Sequence, residues 1–169
     1  MESGTLEAIK RIHALFKDNG LTLSIAESCT GGLISHYVTT LPGASSFFTA
    51  GIVSYSEKIK KDVLGVSPDV IFKNGVVSNE TAREMAEKVR LLAKTDYSIS
   101  TTGNLGPDVL EGKKKGLVYI AVSKEGKTVS RELRLKGSRE ENKKEAAVAA
   151  LRLLIEIMQE GRDNPATTG

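Results

Sequence analysis

Apolar residues recur at helical spacing at Leu6, Ile9, Ile12, His13 and Phe16, and this pattern stops at Asn19-Gly20, so the first element is a helix. Leu21 to Ala26 then reads as a short strand, and Thr30 to Thr40 as a helix entered through Gly31-Gly32 and ended by Leu41-Pro42-Gly43. Phe47 to Tyr55 is rich in β-forming residues. Glu57 to Leu64 follows as a helix with Gly65 as its stop. Ser78-Asn79-Glu80 caps a helix through Ala93 that turns Ala82, Met85, Ala86 and Val89 inward. Tyr97 to Thr101 predicts a strand. Leu117 to Ser123 and Thr128 to Leu135 alternate, with Gly126 in the turn between them, which predicts an antiparallel hairpin. Ser138 and Glu141 form a capping box at the head of a long amphipathic helix to about Gln159. Strands alternating with helices early, and a hairpin late, predict an α/β domain: a three-layer α/β/α sandwich around a mixed, mostly parallel sheet.

The 169 residues suffice for one domain, expected over 1–160, with 161–169 as a flexible Pro/Gly/Thr-rich tail. Hydrophobic residues make up 40% and charged residues 27%, an ordinary balance for a soluble protein. The net charge of +3 is spread among interleaved acids, with no basic stripe carrying aromatics. Direct nucleic-acid contact is therefore not expected. No stretch has the length of a membrane span, and Met1 to Arg11 carries acids and no long apolar run, so neither a membrane partner nor a signal peptide is expected. One cysteine permits no internal disulfide, which suits a cytoplasmic location. Two histidines and one cysteine cannot make a His/Cys zinc site, and no acidic cluster stands out, so no metal is expected.

Chemistry concentrates in three segments that leave strand ends. Ala26-Glu27-Ser28-Cys29-Thr30-Gly31-Gly32 follows a predicted strand and opens a predicted helix, the place where open α/β sheets build sites. Ser28 there reads as a nucleophile or as a plain helix cap. Cys29 is a rival nucleophile, but it needs a nearby histidine, and His13 and His36 both fall on predicted amphipathic helices. A serine without histidine needs another base, and a lysine can serve once desolvation leaves it neutral. Tyr55 and Lys60, at a strand end and one turn into the next helix, could reach the same crevice, though spacing alone also suits a solvated Lys60. Ser100-Thr101-Thr102-Gly103-Asn104-Leu105-Gly106-Pro107 reads either as a wrap for a phosphate or ribose or as a plain turn. Arg139 could pair a phosphate bidentately, or sit on the surface.

Taken together, these segments resemble one family, the C-terminal domain of the competence/damage-inducible protein CinA, which also occurs alone as nicotinamide-nucleotide amidase. The resemblance runs from about Leu6 to Met158 and is carried by residues 26–32, Pro42-Gly43-Ala44-Ser45, and Gly51 with Tyr55-Ser56 and Lys60. It continues through Gly75-Val76-Val77-Ser78, Thr102-Gly103 with Gly106-Pro107, Gly116 to Ala121, and Gly137-Ser138-Arg139. It implies hydrolysis of the carboxamide of nicotinamide mononucleotide to nicotinate mononucleotide and ammonia, with Ser28 as nucleophile and Lys60 and Tyr55 as its activating partners. In that reading Thr30, Gly31, Gly32, Ser45, Thr102, Gly103, Gly106 and Arg139 form the substrate site. Tyr55 could relay the proton, and amides near Thr30-Gly31 or Gly103 would hold the oxyanion. No cofactor is implied. The expected partners are a small nucleotide substrate and a second copy in a homodimer. The alternative is a catalytically inactive relative that binds a pyridine nucleotide as a regulatory module. Three positions depart from the family pattern. Asn104-Leu105 replace Ile-Ala in a loop that also lacks the usual Gly-Gly, which puts the substrate pocket in question. Glu57 replaces Asn, and Ser138 replaces Asp at an equivalent cap.

Overall fold

The computed structural model describes residues 1–163, and six helices flank a single five-stranded sheet among them. The elements are α1 (Ser3–Asn19), β1 (Leu23–Glu27), α2 (Leu33–Thr39), β2 (Phe48–Val53), α3 (Glu57–Asp62), α4 (Pro68–Asn74), α5 (Asn79–Ala93), β3 (Tyr97–Gly103), β4 (Leu117–Lys124), β5 (Lys127–Arg134) and α6 (Arg139–Asp163). Strand order is β2-β1-β3-β4-β5. β1 lies parallel to both β2 and β3, while β4 runs antiparallel to β3 and to β5. The sheet is therefore mixed, and four strands point one way.

The two faces are covered differently. On one face Ile9, Ile12 and Phe16 of α1, Ile34 and Val38 of α2, and Ala150, Leu151 and Leu154 of α6 meet Leu23, Ile25, Ile99 and Ile120. Each of the buried Ile, Leu, Val and Phe side chains contributes roughly 1.5–3 kcal/mol. The other face is thinner. Ala26 with partly buried Ile52 packs against Leu64, Val66, Ile71, Met85 and Val89. α5 approaches the sheet closely because small residues face each other there. Its Ala82 and Ala86 carbonyls accept from the hydroxyls of Ser100 and Ser98 on β3. The three-layer α/β/α architecture follows.

Three local readings change. α2 begins at Leu33 rather than Thr30, because Gly31 and Gly32 both take positive φ (59° and 99°), outside the helical region. α4 is an element that no apolar period announces: only Ile71 is buried, and Phe72 is 90% exposed. α6 continues through Asp163, three residues into the stretch expected to be a tail, whose remainder 164–169 lies outside the described residues.

Candidate active site

β1 delivers Ser28 to the carboxyl end of the sheet. The Ser28 amide donates to the Thr101 carbonyl of β3 (3.0 Å), which holds the residue in line with the strand. The turn beyond it is fixed by Glu27, whose side chain is fully buried. The Glu27 carboxylate accepts from the Thr30 hydroxyl (2.6 Å), the amides of Gly32 (3.1 Å), Ile34 (3.1 Å) and Ser35 (2.8 Å), and the Ser35 hydroxyl (2.9 Å). It thus occupies the first amides of α2 and caps that helix from within. Thr30 is buried and also meets the Thr101 hydroxyl at 2.7 Å. Neither its side chain nor the α2 amides remain available to a ligand. Cys29 is buried, and burial pushes its thiol up to about 12, so it stays protonated at neutral pH and makes a poor nucleophile.

β2 and α3 bring Lys60 to Ser28. The Ser54 amide donates to the Glu27 carbonyl (2.8 Å), extending the β1–β2 pairing by one step. Ser56 then caps α3, its hydroxyl accepting from the Ile59 amide (3.2 Å). Lys60 stands one turn in, 1% exposed. Its ammonium donates to Ser28 Oγ (2.9 Å), the Ser54 carbonyl (2.8 Å) and the Tyr55 carbonyl (3.3 Å). All three partners are neutral oxygens. Burial without a carboxylate lowers the Lys60 pKa to about 8. In the parallel register Ala26 pairs with Ile52 and Glu27 with Val53. Alternation therefore turns the next pair, Ser28 and Ser54, to the same face as Ala26 and Ile52, toward α3. The Ser54 hydroxyl is buried there with no hydrogen-bond partner among the described residues.

At the mouth stands Tyr55, 59% exposed. Its hydroxyl accepts from Arg139 Nη2 (3.0 Å), while Arg139 Nη1 donates to the Gly106 carbonyl (2.7 Å). Tyr55 meets Lys60 through its backbone oxygen, and its phenol is bonded to Arg139 instead. The expected relay through the phenol has no contact behind it in this arrangement. α6 is anchored beside the mouth. Ser138 and Glu141 complete the capping box (2.7 and 3.3 Å), and the Asn142 amide bridges the Leu105 carbonyl (3.1 Å) and the Gly137 amide (2.9 Å).

Two other expected site residues have internal uses. The Thr102 hydroxyl donates to the Val76 carbonyl (2.6 Å). A Cβ on Gly103 would stand 2.7 Å from Leu117 and Val118 backbone atoms, so its glycine serves strand packing. Ser45 is exposed in a short 3-10 turn (Ala44–Ser46) before β2, at the opposite end of that strand from Ser28, and this chain does not bring the two together. His13 is buried and bonded to the Val38 carbonyl (2.8 Å), and His36 is exposed. Glu57 pairs with Lys61 (3.1 Å) on the surface.

The unusual loop is held by its own residues. Asn104 is buried. Its side chain accepts from the Leu110 amide (3.0 Å) and donates to the Leu110 carbonyl (3.2 Å), while Leu105 enters the core. Glu111 accepts from the amides of Val76 (2.6 Å) and Val77 (3.2 Å) and pairs with Lys113 (3.1 Å), clipping the loop to the stretch ahead of α5. Among the described residues no three His, Cys, Asp or Glu side chains gather as a metal site, and no helix is long and apolar enough to cross a membrane.

Residues 6–158 match the family model of the CinA C-terminal domain. A Bacillus velezensis protein named as a competence-damage inducible protein is 42% identical over 152 residues, which is 90% of this chain and 36% of that relative. An Acetivibrio thermocellus protein with the same name is 51% identical over 123 residues, 72% of this chain and 30% of its own. The chain thus spans about a third of the length of these curated relatives. Among solved structures, the competence/damage inducible protein CihA from Agrobacterium tumefaciens is 33% identical with a TM-score of 0.89, covering 92% of this chain and 96% of its own. The competence or damage-inducible protein from Enterobacter asburiae has the same TM-score at 31% identity, covering 91% and 98%. The chain belongs to the CinA C-terminal domain family.

Proposed function

We propose that this protein hydrolyses the carboxamide of nicotinamide mononucleotide, with Ser28 as nucleophile and Lys60 as its base. The observation that carries the reading is the 2.9 Å contact between Lys60 Nζ and Ser28 Oγ, made by a lysine with no carboxylate partner and a pKa lowered to about 8. At pH 7 roughly a tenth of such a lysine is neutral, enough to take the serine proton. Ser28 Oγ then bonds to the carboxamide carbon. The amides of Cys29 and Thr30 donate to no oxygen among the described residues, and they follow the nucleophile directly. They are better placed for the oxyanion than Gly31, whose amide is bonded to the Ser28 carbonyl (3.0 Å). Protonated Lys60 hands its proton to the departing amine, the C–N bond breaks, and ammonia leaves. Water, deprotonated by the same lysine, cleaves the ester to give nicotinate mononucleotide. Tyr55 and Arg139 form the rim that receives the nucleotide.

Ammonia release from nicotinamide mononucleotide by the purified chain tests the reading. Turnover by the wild type, lost in Ser28→Ala by at least about 10³-fold, is the expected result. Retained turnover in Ser28→Ala would remove the nucleophile. No wild-type turnover, with the nucleotide still bound, would leave the non-catalytic binding module.

A further inference from the structure

One cation near the site has no use in the scheme above. Lys143 lies on α6 one turn after Arg139, so the two share a helix face. Its Nζ comes within 3.4 Å of the position a Cβ on Gly31 would take, which places the ammonium over the turn that carries Ser28. Lys143 is half-buried and forms no ion pair among the described residues, whereas its neighbour Lys144 pairs with Glu140 (2.7 Å). Arg139 likewise has only neutral partners, the Gly106 carbonyl and the Tyr55 hydroxyl. Both cations stand in the opening turns of a 25-residue helix, at the end where the backbone dipole disfavours positive charge. The acids of the same turn are engaged elsewhere, Glu140 with Lys144 and Glu141 with the Ser138 amide, so an anion lying between Arg139, Lys143 and the Gly31 turn would meet two cations that have no carboxylate in contact.

We infer that Lys143 is the second arm, with Arg139, of an anion clamp that selects a phosphate-bearing substrate over its dephosphorylated nucleoside. The inference rests on the amidase reading for the place of the reacting carbon, but its test does not need turnover. Calorimetric titration compares nicotinate mononucleotide with nicotinate riboside on the wild type, Lys143→Gln and Lys143→Arg, each checked by circular dichroism. Lys143→Gln is expected to weaken the mononucleotide by about tenfold or more while leaving the riboside within about twofold, and Lys143→Arg to restore most of the loss. Equal weakening of both ligands, or no weakening of either, would overturn the clamp, as would a wild type that binds both alike. If ammonia is released but Lys143→Gln binds like wild type, the clamp falls and the amidase stands. If no ammonia is released but phosphate-selective binding depends on Lys143, the amidase falls and the clamp stands.

Discussion

Glu27 and Lys60 are buried ionisable side chains within one residue and one hydrogen bond of Ser28, and the fold treats them in opposite ways. Glu27, set toward α2, receives five hydrogen bonds from amides and hydroxyls of its own turn. Lys60, set in α3, donates to one serine hydroxyl oxygen and two carbonyls, and to no carboxylate. The first group is solvated by the protein and holds the nucleophile turn rigid. The second is stripped of water without a counter-ion, which is how an amine becomes a base near neutral pH. Rigidity on one side and a lowered pKa on the other are what the proposed Ser28 nucleophile, with no histidine beside it, would need.

The sharpest way to break the contrast is at Lys60. Lys60→Met should lower the rate of ammonia release by about 10³-fold or more, with substrate affinity little changed. The wild-type rate should rise with pH and level off above about 8, because the proposed mechanism uses the neutral form of Lys60. A profile falling from pH 6 to 8 would remove the neutral-lysine base. Stability carries the same signature with a definite sign. The folded pKa lies below the unfolded value, so between about 8 and 10.4 the unfolded chain binds more protons, and stability rises with pH through that window. Denaturant midpoints should show this rise in the wild type and lose it in Lys60→Met.

At Glu27 the damage should fall on the fold rather than on proton transfer. Glu27→Ala strands five donors in a buried turn and should cost about 3–5 kcal/mol, read from the urea midpoint. A loss under about 1 kcal/mol would mean that the turn is held by other contacts, and the rigid half of the contrast would be wrong.

This division was only partly legible in the sequence. Apolar periods placed α1, α5 and α6, since each buries one stripe, and the Ser138–Glu141 capping box marked where α6 begins. They could not place α4, which buries only Ile71, or the late start of α2, where Gly31 and Gly32 take positive φ and the Glu27 carboxylate reaches forward from β1 to take the amides of Gly32, Ile34 and Ser35. Lys60 is 32 residues from Ser28, and spacing alone left it among many solvated lysines. Family likeness singled it out, and the parallel β1–β2 register supplies the physical reason. Glu27 lies on no apolar period, yet it is an acid directly before the serine and five residues ahead of the first amide of the turn that it binds. Such an acid between a strand and a Gly-Gly pair is a signal for an internal helix cap.

Tyr55 sharpens the comparison from the rim. Its phenol is bonded to Arg139 and its main-chain oxygen to Lys60, so the side chain should matter for binding more than for the proton. Tyr55→Phe keeps the ring and the carbonyl. It should reduce kcat by less than about tenfold while raising KM, the pattern of a lost binding contact. A kcat loss near that of Lys60→Met would instead make the phenol part of the proton path and require it to turn away from Arg139 during the reaction.

The smallest effect is expected at Ser54, where the comparison can be tested without touching either charge. Its carbonyl takes the Lys60 ammonium and its amide holds the Glu27 carbonyl, so its backbone joins the two halves. The hydroxyl joins neither, being buried and unpartnered. A buried hydroxyl without a hydrogen bond lowers stability, and removing it leaves only a small void. Ser54→Ala should therefore shift the urea midpoint by no more than about 1 kcal/mol, in the stabilising direction or not at all, with the pH–rate profile unchanged. A clear loss of stability would mean that the hydroxyl is bonded in solution. A shifted pH profile would mean that its bond is to Lys60, and the amine's setting would then include a fourth oxygen that holds it in place.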